Sequence, residues 1–258
     1  MSTVITTQPG AYVKIPGQEF KLGWMKYPGK SEDHEVPFGL EYLQLLDNIQ
    51  IKQQIQLKEV LFSCPTQKTY VILNRSGQQV YYAHEESLCC ARYCTKSYRG
   101  FTLHIVDNFN KEVMRITRPH QACAGCICSL LAVPGSCCSY EITVEAPPGH
   151  VIGTVRQRRT KCMPGFYVND EYEKPKLKIG TRDCCRIGKG EESDEFFEVE
   201  SIGGEEMGNI RKRWTTFSQE VFTSARSFDV NFPTNLNVKS KATLIGAAFL
   251  IDYIHYQK

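Results

Sequence analysis

Hydrophobic and polar residues alternate along much of this chain with the two-residue period of β-strands. A short apolar segment at 39–46 predicts a helix, and after it Ile49, Ile51, Ile55 and Leu57 keep one parity, with Lys or Gln among the residues between them. Such alternation is typical of a strand with one buried and one solvated face. The sequence therefore predicts a strand that begins near residue 49.

Further alternating segments come in pairs, each pair separated by residues that favour turns. The turns fall at 74–77, 107–110, 146–149 and 203–204, and a longer loop separates 166–168 from 177–179. Five or six hairpins in a row indicate one meandering antiparallel sheet. Such a sheet protects its edges by closing into a barrel or by pairing into a sandwich.

The two ends of the chain differ from this pattern. Residues 1–36 contain scattered Gly and Pro with little periodicity, which predicts a loosely ordered tail before a domain at 37–258. Residues 242–251 are almost entirely apolar, and a helix is predicted at about 236–256. Ten apolar residues are too few for a bilayer span, which needs about 20. A helix that is apolar on every side and kept slim by Gly246 is better explained as buried inside a β-barrel. Its core or membrane residues are Leu244, Ile245, Phe249, Leu250 and Ile251.

Charge excludes few classes of protein. The 258 residues include 31 basic and 28 acidic side chains, a formal charge of +3, so nucleic acid is not expected as the main partner. Basic residues concentrate at 156–161 and 211–213, and acidic residues at 191–200. The six histidines are scattered, and no phosphate loop, HExxH pair or nucleophile elbow occurs, so an enzyme is not favoured.

Five of the twelve cysteines lie in one short segment between two predicted strands: Cys123, Cys126, Cys128, Cys137 and Cys138. The N-terminus lacks the pattern of a secretory signal, so free thiols are expected rather than disulfides. Zinc binding by Cys123, Cys126 and Cys128 with His120 is one interpretation. Fatty acylation of these thiols is another. Stable membrane anchoring needs two signals, and several cysteines beside basic residues could supply them. Simple burial is the third.

Several motifs, in their order, resemble the phospholipid scramblase family from about residue 37 to 256. They are PFGLEYL at 37–43, the pair Arg118-Pro119 before the cysteines, EITVEAPPG at 141–149 and IGAAFLID at 245–252. The resemblance implies a tubby-like fold, mainly β, in which a closed antiparallel barrel of twelve strands surrounds a hydrophobic C-terminal helix. It also implies attachment to the cytoplasmic face of the plasma membrane through palmitate on some of the five cysteines.

The family is described as moving phospholipids between leaflets in response to calcium. Its calcium segment matches residues 224–235, but the expected carboxylates are Ser224, Arg226 and Asn235 here, and Asp229 replaces a glycine. Calcium prefers six to eight oxygen ligands, so weak or absent calcium binding is predicted.

The family's nuclear-import segment matches residues 208–217, with Arg211, Lys212, Arg213 and Trp214 as its basic and aromatic residues. An ordinary strand with a solvated basic edge is the alternative interpretation.

Two functions follow from these observations. The first is a membrane-attached, scramblase-like transporter that interacts with phospholipids through its C-terminal helix, and a homo-oligomer is expected for it. The second is an acylated lipid-binding regulator or scaffold that moves to the nucleus through an import receptor when it is not acylated.

Overall fold

The computed structural model describes residues 12–15, 18–21, 23–54, 68–86, 100–120, 139–158, 165–181, 195–213 and 227–255. Near the N-terminus, β1 (Tyr12–Ile15) and β2 (Gln18–Lys21) form an antiparallel pair. A 3-10 helix follows at Glu41–Leu45, where the sequence predicted a short helix.

Twelve further strands form the main sheet. They are β3 (Asn48–Gln54), β4 (Thr69–Leu73), β5 (Gln79–Glu86), β6 (Phe101–Val106), β7 (Glu112–Arg118), β8 (Glu141–Glu145), β9 (Val151–Arg158), β10 (Gly165–Asp170), β11 (Pro175–Gly180), β12 (Glu195–Ser201), β13 (Glu206–Arg213) and β14 (Ser227–Asn231). Each strand pairs antiparallel with the next, and β14 pairs with β3, so the sheet is a closed barrel. The predicted fold class is confirmed.

Alternation of apolar and polar residues along the strands determines which side chains form the hydrophobic core. In β6, Leu103 and Ile105 are buried whereas Thr102 and His104 are partly exposed, and β8 repeats this pattern. Because successive side chains point to opposite faces, each strand sends one apolar row into the barrel.

The helix α1 (Val238–His255) fills this interior, in contact with β8, β9, β10, β14 and the 3-10 helix. Its apolar residues lie on every side, and the barrel covers all of them except Ile254, which is partly exposed. The close approach needs Gly246, because a Cβ atom there would lie 2.8 Å from Val144 Cγ2. Among the described residues, no helix is long and apolar enough to cross a membrane.

Residues before the predicted domain boundary also contact the barrel. The main chain of Met25 donates a hydrogen bond to Gln79 O, and Gln79 donates to Gly23 O. The Tyr27 ring packs edge-on against Tyr42 at 5.7 Å. The segment from Gly23 to Tyr27 is therefore held on the barrel wall, although it shows no periodicity in the sequence.

Candidate functional site

The two ends of the barrel differ in their connections. In the described chain, five connections are tight turns closed by backbone hydrogen bonds, at 74–78, 107–111, 146–150, 171–174 and 202–205. Because the strands are antiparallel and consecutive, these turns all lie at one end, here called the tight-turn end. The other six connections leave the opposite, long-connection end.

The five candidate cysteines belong to one of these longer connections. Residues 121–138 lie outside the described part of the chain, and they join Arg118 at the end of β7 to Glu141 at the start of β8. Both strand ends are at the long-connection end, as are Arg156 and Arg158 near the end of β9. Acylation, zinc binding or burial of these thiols stays a prediction. Within the described residues, no group of three potential metal ligands is present.

The final turns of α1 meet the barrel at this same end. Tyr253 donates a hydrogen bond to Glu85 Oε2 and stacks on Phe101, with ring centroids 3.8 Å apart. Tyr70 donates to Asp252 Oδ2 at 3.5 Å, and burial raises the pKa of the Tyr70 phenol well above its ordinary value. A buried polar cluster therefore fixes the end of the helix inside the barrel.

The predicted core or membrane residues of the helix are all enclosed. Leu244, Ile245, Phe249, Leu250 and Ile251 have at most 1% of their surface exposed. A lipid could contact these side chains only if the barrel opened.

The segment that matches the family's calcium site is divided between strand and turn. Ser224 and Arg226 lie outside the described residues, and Asn235 is exposed in the turn after β14. Asp229 is on β14, 4% exposed, and accepts a hydrogen bond from Arg213 Nε. The sequence pattern missed this strand, although β14 closes the barrel between β13 and β3.

The import-like residues lie on β13, which is hydrogen-bonded on both sides. Lys212 is 2% exposed, while Arg211 and Arg213 alternate with it and are exposed at the outer face. Trp214 lies outside the described residues. A receptor that reads an extended peptide would therefore meet two of the three basic side chains on the folded barrel.

A polar cleft, which sequence reasoning missed, crosses the outer wall at β13, β14 and β3. Three arginines, Arg75, Arg211 and Arg213, line this arginine cleft, which has a volume of about 290 Å³. Its floor is a row of three amides: Asn48 donates to Asn231 Oδ1 at 2.8 Å, and Asn231 donates to Asn209 Oδ1 at 2.9 Å. No local motif could reveal it, because it depends on the pairing of β3 with β14.

Comparison with known proteins decides the family. The Scramblase family model matches residues 27–258. The chain belongs to the scramblase family. It is 40% identical to phospholipid scramblase 1 of Rattus norvegicus over 94% of this chain and 69% of that protein. It is 40% identical to the Homo sapiens protein of the same name, over 91% and 70%. Identity to phospholipid scramblase 2 of Bos taurus is 36%, over 98% of this chain and 80% of that protein.

The scramblase match begins at Tyr27, the last residue of the packed segment, and includes the whole barrel and α1. The predicted family resemblance is thereby confirmed. The alignment with a solved Arabidopsis thaliana protein covers 84% of this chain and 99% of that one, at a TM-score of 0.41 and 8% identity.

Proposed function

We propose that this scramblase-family protein moves phospholipids in both directions between the leaflets of a membrane. The observation that carries the proposal is its similarity, over 94% of the chain, to a protein named phospholipid scramblase 1. The relatives' names identify phospholipids as the substrate class, and no chemical conversion of the lipid is implied.

Membrane attachment is assigned to the long-connection end and the cytoplasmic face of the plasma membrane. Palmitate on two or more of the five cysteines at 123–138 would supply strong anchors, since each buried methylene adds about 0.8 kcal/mol. Arg158 lies at the same end of the barrel and would add attraction to anionic headgroups. The two signals together favour stable attachment of this end.

The closed interior limits how lipid could move. Because α1 fills the barrel with apolar side chains, no hydrated path for a headgroup runs through the described interior. A charged headgroup is costly to bury without such a path. We therefore place lipid movement outside the barrel, at its contact with a locally thinned bilayer or between copies of the protein in a homo-oligomer.

Calcium is assigned at most a weak role. Asp229, the acidic residue of the matching segment, lies in the barrel wall and already pairs with Arg213. Calcium binding there would have to compete with a guanidinium group and would lack the carboxylates that set affinity.

Lipid movement is tested by reconstituting the purified chain into vesicles that carry fluorescent phospholipids in both leaflets. With chelator present, a membrane-impermeant quencher should remove all of the fluorescence rather than the outer half. Protein-free vesicles and vesicles with heat-unfolded protein are the controls. Loss of only half the signal with folded protein, both in chelator and in millimolar calcium, would reject the transporter and favour the acylated regulator that reaches the nucleus through an import receptor.

A further inference from the structure

We propose that the arginine cleft on β13, β14 and β3 is a binding site for a phosphate group. The inference concerns the outer wall of the barrel and does not depend on lipid movement. It rests on the charge of the cleft, on its amide floor and on the second cavity that continues it.

Charge at the cleft favours an anion. Three arginines and one carboxylate, that of Asp229, line the cleft, and Asp47 pairs with Arg75 from beside it, so a formal surplus of one positive charge is left. Guanidinium groups match the oxygens of a phosphate with paired hydrogen-bond donors.

Two of the arginines could bind a phosphate while losing little existing interaction energy. Arg211 lies exposed over the Phe196 ring, 5.6 Å from its centroid, which holds the guanidinium at the rim. Arg75 pairs with Asp47 at 3.1 Å, but its side chain is 67% exposed, and a pair this open contributes little. Both groups could turn to an incoming phosphate, while Arg213 stays with Asp229.

The floor of the cleft contains a buried polar atom that is not satisfied. Asn48 is 6% exposed, and its Oδ1 atom lacks a hydrogen-bond partner among the described residues. Reversing the amides of Asn48, Asn231 and Asn209 together keeps both hydrogen bonds between them. It also turns the free buried atom of Asn48 from an acceptor, which would repel a phosphate oxygen, into an N–H group, which would not.

A second cavity of about 350 Å³ continues the cleft towards the tight-turn end, and the two share Arg75 and Asn231. Met207, Phe232 and Pro233 line it, together with Asp47 and Glu206. A ligand with its phosphate at the arginines would therefore extend over partly apolar surface. Both a lipid headgroup and a soluble phosphate ester have the required phosphate.

The test measures binding of two probes to the full chain by calorimetry at low salt: glycerol 3-phosphate, and dihexanoyl phosphatidic acid below its micelle concentration. Arg75→Gln and Arg211→Gln should each weaken binding about tenfold or more, because each removes a charged hydrogen-bond donor. Lys174→Gln, an equal charge change at the exposed β10–β11 turn, should leave it unchanged.

Asp229→Asn provides a variant with the opposite expectation. It removes the carboxylate and releases Arg213, so phosphate binding should become several-fold tighter, whereas general damage to the fold would weaken it. Equal affinities for both probes would mean that the site recognises the phosphate group alone. Tighter binding of the phosphatidic acid would mean that the second cavity also contacts the ligand. Absence of saturable binding, no loss in the two arginine variants, an equal loss with Lys174→Gln, or weaker binding by Asp229→Asn would overturn the proposal.

Discussion

The ammonium group of Lys241 donates a hydrogen bond of 2.9 Å to the main-chain carbonyl of Leu43. It also donates to Leu46 O at 2.8 Å and to Thr234 O at 2.7 Å. Lys241 lies in the first turn of α1 and is fully buried. One side chain therefore joins the start of the helix to the chain before β3 and after β14.

Replacing this lysine should weaken the fold. Lys241→Met keeps an unbranched side chain but removes the ammonium donor from two buried carbonyls and one partly buried carbonyl. We expect the free energy of unfolding to fall by about 2 to 4 kcal/mol. Lys239→Met is the matched control, since Lys239 makes a partly exposed ion pair with Glu171 at 2.7 Å. That variant should lose less than about 1 kcal/mol in urea unfolding. Equal losses would contradict the role given to Lys241.

The same lysine predicts how stability changes with pH. Burial lowers its pKa from 10.5 to about 8. Between these values the unfolded chain binds more protons at this side chain, so its contribution to the free energy of unfolding rises as pH increases. The wild type should gain roughly 1 to 3 kcal/mol relative to Lys241→Met between pH 8 and 10. A difference that falls or stays constant in urea titrations would refute the effect of burial.

The close packing of α1 against β8 depends on Gly246. Besides the contact with Val144, a Cβ atom at Gly246 would lie 3.1 Å from Ile142 Cδ1. Gly246→Leu should overpack the barrel and destabilise it by about 2 to 3 kcal/mol. Gly203→Ala, at an exposed turn, should change stability by less than about 0.5 kcal/mol. A Gly246→Leu protein with wild-type stability would mean that the helix does not pack this closely.

Much of this architecture could be predicted because it depends on patterns of apolar and polar residues within short segments of the chain. Alternation of apolar and polar residues predicted most of the barrel strands, and the continuous apolar run at 242–251 predicted the enclosed helix. The strand at Ser227–Asn231 was missed although its five residues alternate between polar and apolar, because this short stretch was interpreted as part of the family's calcium segment. The arginine cleft was missed because Asn48 and Asn231 are 183 residues apart and meet only through barrel closure.

Acylation predicts a defined loss of membrane attachment. Changing all five cysteines at 123, 126, 128, 137 and 138 to Ser should abolish incorporation of a palmitate analogue in cells and move the protein from the membrane to the soluble fraction. Cys184→Ser with Cys185→Ser is the control, and it should keep both properties. Persistent membrane attachment without label would reject acylation as the anchor.

Calcium dependence of lipid movement is the measurement that tests the account most directly. Flip of fluorescent phospholipid is followed in vesicles with the wild type and with a variant that restores the family's carboxylates, Ser224→Asp, Arg226→Asp and Asn235→Asp. We predict that wild-type flip is present in chelator and constant up to millimolar calcium, while flip by the variant rises with calcium. Wild-type flip that requires calcium, or no flip at any calcium concentration from folded protein, would contradict the account.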